Sequence, residues 1–273
     1  MRSLIIKWTL PVCVLTYAFG CLSLTAYLSL HPLQPVEPEF SFAPFHSAIF
    51  NPKPYTSPAL PDFAAITDVK QKKAAFFNYL RPAIEYNNQK ARDQHNTLQS
   101  WRMQLRAKKA LDPLTRLGLS QLATRYRLKS SLNTEQQIDA LLLRIDELPP
   151  SMVLAQAAME SAWGTSRFAR QANNLFGQWC FSSGCGIVPL QRSSGDTHEV
   201  KLFASVGSAV EAYYLNINTH AAYQGVRNIR AESRAQGTGL KGALMVAGLE
   251  KYSGRGIHYV EELRSMIRTN RLE

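Results

Sequence analysis

The amino-acid sequence predicts a mainly α fold of the α+β class: a helical domain with a small β-hairpin, preceded by a membrane anchor and a proline-rich linker. Three features carry that expectation. Apolar residues recur at three- and four-residue intervals through most of residues 68–162. Alternating residues flank one turn-rich stretch, Ser193-Ser-Gly-Asp196. Residues 8–30 carry no charge, and prolines crowd the segment after them.

The anchor follows from length and flanking charge. Arg2 and Lys7 precede the 23 uncharged residues from Trp8 to Leu30. As a helix that run is roughly 35 Å long, enough for a hydrocarbon core of about 30 Å. No Ala-x-Ala site follows Leu30, so an uncleaved signal anchor is expected. The competing reading is a lipoprotein, because Ala18-Phe-Gly-Cys21 loosely resembles a lipobox. The basic flank keeps the N-terminus in the cytoplasm and sends the rest of the chain outward. Residues 31–62 then hold eight of the 14 prolines, a density that forbids a continuous helix and makes an extended spacer. Its aromatic residues, Phe40, Phe42, Phe45, Phe50 and Tyr55, argue that part of it packs on the domain.

A net charge of +11 favours polyanionic partners, with basic residues concentrated between Arg102 and Lys129. Export argues against nucleic acid as that partner. Cys180 and Cys185 bracket Phe-Ser-Ser-Gly, and an exported domain permits a disulfide there. So small a loop would gain only roughly 2 kcal/mol, which makes its role local. Zinc is the alternative, but further ligands at metal spacing are missing, with His198 the only histidine nearby. Neither metal nor cofactor is expected.

Residues 63–132 form a helical N-terminal region, with helices over about 68–106 and 111–128 and with Pro82 starting or kinking a second helix. The second domain, residues 133–273, opens with a helix over 134–148 capped by Asn133 or Thr134. Pro149-Pro150 stops it and starts a compact helix over 151–162, with Gly164 as a left-handed cap. Glu160 therefore falls in the last turn, sharing a face with Gln156 and Trp163 at spacings of four and three. The negative end of the helix dipole and an adjacent indole both disfavour an ionised carboxylate there. A raised pKa suits a group that must stay protonated near neutrality and donate to a leaving oxygen.

The run Leu154-Ala-Gln-Ala-Ala-Met-Glu160-Ser-Ala-Trp-Gly164, followed by Asn173-Asn-Leu-Phe-Gly177, resembles the signature of the endo-β-N-acetylglucosaminidases of flagellar and autolysin type, which are lysozyme-like peptidoglycan hydrolases. The order of anchor, linker and helical region resembles the proteobacterial Bax group within them. The resemblance covers roughly residues 135–270. It implies a lysozyme-like domain in the periplasm, tethered to the inner membrane through residues 8–30 and acting on peptidoglycan glycan strands. Glu160 would be the catalytic acid. Tyr252 would line the site as a positioning residue, and Gln156, Trp163, Asn174, Phe176 and Tyr259 would bind substrate. A second carboxylate is sought on the hairpin formed by 187–190 and 197–203, with Glu199 preferred and Asp196 behind it. Assistance by the substrate's own N-acetyl group remains open. So do a lytic transglycosylase, which shares the single-Glu logic, and a wall-binding domain without catalysis.

Overall fold

The computed structural model describes residues 53, 55–190, 192, 195 and 197–273. The expected anchor and most of the linker lie outside these residues. Among the described residues no helix is long and apolar enough to cross a membrane.

Helix α1, Val69–Arg106, is opened by Asp68, whose carboxylate accepts the Gln71 N–H at 2.7 Å. It runs on through Pro82, where the sequence suggested the start of a second helix. A proline inside a helix costs about 3 kcal/mol. Here Phe76, Phe77, Leu80, Ala83 and Ile84 flank it and are all buried, and each large side chain among them contributes about 1.5–3 kcal/mol. Burial therefore outweighs the lost hydrogen bond. Helix α2, Pro113–Arg125, begins later than expected because Asp112 caps it and Pro113 takes its first turn. Helix α3, Thr134–Arg144, starts in a capping box between Asn133 and Gln136. It stops short of residue 148, and the extended residues that follow lead into Pro149-Pro150.

Helix α4, Pro150–Glu160, is buried at every position from Ser151 to Ala158, so it runs through the interior rather than along the surface. A short α5, Arg167–Ala172, follows, and beyond the sheet come α6, Val206–Thr219, α7, Gln224–Gln236, α8, Gly242–Met245, and α9, Ile257–Thr269. The first half of α1 packs with α4, α6 and α9 in one core, through Phe76, Leu80, Val153, Val210 and Leu263. Its second half packs with α2 and α3 in another, through Leu98, Trp101, Leu122 and Ile138.

The described end of the proline-rich segment lies on this framework. The Tyr79 hydroxyl donates to the Pro58 carbonyl at 2.7 Å, and the Tyr86 hydroxyl donates to the Lys53 carbonyl. The Gly207 N–H donates to Ser57 Oγ at 3.0 Å. Gly207 is required there, since a Cβ would fall 2.0 Å from the Tyr55 carbonyl oxygen.

The β region has three strands rather than two. β1, Trp179–Cys180, and β2, Gly186–Ile187, flank the central β3, Glu199–Lys201, in the order β1-β3-β2. Both pairings are antiparallel, with Val200 opposite both Trp179 and Ile187. The expected hairpin is thus the β2–β3 pair, with its first strand ending at Ile187 instead of Leu190. β1 is two residues long, too short for alternation to show in the sequence.

Candidate active site

Helix α4 ends at Glu160, and the next turn reverses sharply. Ala162, Trp163 and Gly164 take left-handed φ values of 49°, 60° and 75° in succession. Left-handed backbone costs roughly 1–2 kcal/mol for a residue with a Cβ, so packing must hold the two non-glycine residues in place. Ser161 ties the turn, donating to the Ala157 carbonyl at 2.6 Å and accepting the Gly164 N–H at 2.8 Å. The Trp163 ring stacks edge-on against Phe76 and Phe77, with Lys73 Nζ 5.0 Å above it. This corrects the expectation that the helix continues to Ala162 with Trp163 on the face of Glu160. The left-handed turn carries the indole onto α1 instead.

Glu160 is half-buried and held from beneath by a chain of hydrogen bonds whose directions agree throughout. The Tyr213 hydroxyl donates to Gln156 Oε1, Gln156 Nε2 donates to the Tyr259 oxygen at 2.9 Å, and the Tyr259 hydroxyl donates to Glu160 Oε1 at 2.7 Å. Glu160 Oε2 faces Gly177, where a Cβ would stand 3.5 Å from it. Gly177, at φ 62°, therefore meets a backbone need and keeps space beside the carboxyl. Burial raises the Glu160 pKa, and the Tyr259 hydrogen bond and the Arg255 charge only partly offset it. Burial likewise holds the Tyr259 hydroxyl protonated, with the nearby Glu160 charge acting in the same direction.

The structure brings Gln156, Tyr259 and Tyr252 together around Glu160, but in supporting positions. Gln156 and Tyr259 are 0% exposed, which sets them beneath the Glu160 carboxyl rather than on an open surface. Tyr252 lies parallel to Tyr259 at 5.7 Å and donates to the Phe176 carbonyl at 2.7 Å, bracing the turn that brings Gly177 to the carboxyl. Phe176 is buried and stacks on Tyr213 at 4.2 Å. Asn174 is also buried. Its oxygen accepts the Phe176 and Gln178 N–H groups, and its nitrogen donates to the Gln178 and Lys201 carbonyls, so it shapes the turn and ties it to β3. Tyr213 and Tyr223 also line this cluster. Neither has a role assigned from the sequence, and the only signal available was the apolar periodicity of the segment that carries Tyr213.

Glu199 is committed elsewhere. Its two oxygens accept the Gly184 and Gly186 N–H groups at 3.0 and 2.8 Å, which lowers its pKa and clasps the loop between Cys180 and Cys185. The two cysteines face each other across that loop with Cα atoms 6.2 Å apart. Asp196 lies outside the described residues.

Tyr259→Phe tests the relay. It removes the donor that lowers the Glu160 pKa, so the titration profile of the Glu160 carboxyl, followed by NMR, should move to higher pH. A profile unchanged in position would disprove the coupling.

A family model described as mannosyl-glycoprotein endo-β-N-acetylglucosaminidase matches residues 136–272. The chain is also similar to Protein bax of Escherichia coli (strain K12), with 34% identity over 215 residues, 78% of this chain and 75% of that one. No solved structure matches it. With α4, the Gly177 turn and the tyrosine cluster all inside the matched span, the chain belongs to the glucosaminidase family of glycosidases.

Proposed function

We propose that the chain is an endo-β-N-acetylglucosaminidase of peptidoglycan with a lysozyme-like cleft, in which Glu160 is the general acid. The observation that carries this reading is the asymmetry of the Glu160 carboxyl. Oε1 is occupied by the Tyr259 donor, so the acid proton resides on Oε2, the oxygen on the Gly177 side. A carboxyl whose protonated form is favoured by burial can donate that proton to the oxygen leaving the anomeric carbon of an N-acetylglucosamine residue. Positive charge then develops on the sugar ring. With both Glu199 oxygens engaged by main-chain donors, the partners left to this reading are Asp196 and the N-acetyl group of the substrate. Water completes the hydrolysis.

The test is digestion of purified peptidoglycan by the full-length protein, with new ends identified by mass spectrometry. Reducing N-acetylglucosamine ends are expected. Anhydro-muramic ends would assign a lytic transglycosylase, and no cleavage would leave a wall-binding domain.

The same reading places residues 8–30 in the inner membrane and the domain in the periplasm, where Cys180 and Cys185 form a disulfide. Iodoacetamide should then leave both unlabelled until a reductant is added. Labelling without reductant defeats the disulfide, and labelling that needs only a chelator gives the pair to a metal ion.

A further inference from the structure

The chain that leaves the acid runs directly into exposed aromatic residues. Gly177 lies beside Glu160 Oε2, and Trp179 follows two residues later, at most about 7 Å further along the backbone. Gln178 between them is pinned. Its N–H donates to Asn174 Oδ1 at 3.1 Å, its carbonyl accepts the Lys201 N–H at 2.9 Å, and its side chain reaches inward to the Ala209 carbonyl at 3.0 Å. Successive side chains of an extended chain point to opposite sides, so with Gln178 turned in, Trp179 turns out.

Trp179 is 56% exposed and Phe181 is 71% exposed. A free-standing indole would sample several rotamers, but this one is braced. His198 stacks on it at 4.3 Å with the rings 16° apart, and Val200, its cross-strand neighbour, is buried. Between the two aromatic residues, Cys180 faces Cys185, and Glu199 holds the same loop by its Gly184 and Gly186 N–H groups. The clasp thus fixes the segment that carries both rings.

We propose that Trp179, with Phe181 beside it, is a sugar-stacking platform that holds the glycan strand on one side of the Glu160 cleavage point. This rests on the glycosidase reading of Glu160 and adds a binding subsite to it. The chemistry fits a pyranose. One face of the ring presents polarised C–H groups, which lie against the negative face of an indole, while the hydroxyl and N-acetyl groups at its edge stay in water. His198, stacked on the indole, and Ser182 and Ser183, next in the chain after Phe181, put polar groups near the platform. A strand whose scissile bond lies at Glu160 must continue past one of the two flanks of the acid, and the Gly177–Trp179 segment begins on its Oε2 side.

The test uses the full-length protein carrying Glu160→Gln, which binds without cutting, sedimented with insoluble peptidoglycan. Adding Trp179→Ala should weaken binding about threefold to tenfold, the size of one aromatic stacking contact. Trp179→Tyr should restore most of it, and thermal melts confirm that each variant is folded. In the catalytically intact protein, Trp179→Ala should raise KM with kcat little changed. Binding by Trp179→Ala equal to that of its parent overturns the platform, as does an equal loss with Trp179→Tyr. The two readings fail separately. A wild-type protein that releases no fragments while binding depends on Trp179 ends the glycosidase reading alone. Reducing ends released by a Trp179→Ala protein that binds like its parent end the platform alone.

Discussion

On the proposed function, Glu160→Gln should lower the rate of glycan cleavage by about 10²–10⁴-fold, the share that a positioned general acid contributes, and it should also stabilise the fold at neutral pH. The geometry survives the change, because the Tyr259 hydroxyl still finds an oxygen at the same place. What is lost is the proton on the other oxygen. The stability effect has a definite sign. Burial raises the folded-state pKa of Glu160 above the ordinary 4.5. The ionised carboxylate therefore weighs against folding, with the penalty absent below about that pH and complete once pH exceeds the folded value. Glutamine carries no such penalty. Melting temperatures of the two proteins should agree in acid and separate as pH rises through the acid's titration, with the variant higher. Activity of the wild type should fall only at the upper end of that window, as pH passes the raised folded-state pKa, since only the protonated acid donates. A variant that cleaves within tenfold of wild type removes Glu160 from the reaction. A variant no more stable at pH 7 than at pH 4, relative to wild type, would mean that the carboxyl is not disfavoured by burial.

The placement of Glu160 at the end of a buried helix was legible in the sequence, and its surroundings only in part. A helix opened by Pro150 and closing near Gly164 puts Glu160 in a last turn, and the α4 bounds agree to within two residues. The reason given for its raised pKa was half wrong. Sequence spacing assigns Trp163 to the helix face, because nothing local announces that alanine and tryptophan will take left-handed backbone. That turn is fixed by contacts with Phe76 and Phe77, some 86 residues away. The burial comes instead from Gln156, Tyr213 and Tyr259, brought together from α4, α6 and α9. Glu199 shows the same limit in another form. Alternation places its side chain on one side of β3, but only the path of the 180–186 loop reveals that two glycine N–H groups already occupy it. Pro82 misled because its local cost is readable and the burial that exceeds it is not.

The largest stability loss is expected far from the acid, at Arg230→Leu. Arg230 is 1% exposed, and its two terminal nitrogens donate to the carbonyls of Leu143, Arg144, Asp146 and Glu147 and to Asn218 Oδ1. These carbonyls belong to the end of α3 and the segment leading to α4, where the helix leaves its last acceptors without internal donors. A buried cation answers both that need and the negative end of the helix dipole. Burial presses its pKa down to about 10, still high enough to keep it charged at neutrality. Leucine fills similar space but strips five acceptors at once and leaves Asp146 with one cation fewer. Breaking such a buried set costs about 3–5 kcal/mol, or roughly 10 °C of melting temperature in a domain of this size. Arg230→Lys should fall between, since three rotatable donors cannot replace a planar fork facing five acceptors. Arg234→Ala is the control. Arg234 also pairs with Asp146 and Glu147, but its side chain is 44% exposed and its hydrogen bonds go to side-chain carboxylates rather than to the carbonyls of the connection, so its loss should cost less than that of Arg230. Activity should follow the same order, because this segment sets where Pro150 begins α4 and so where, three turns on, Glu160 ends it. If Arg230→Leu melts no earlier than Arg234→Ala, the α3–α4 connection is held by its apolar neighbours, and the guanidinium is not what positions the acid.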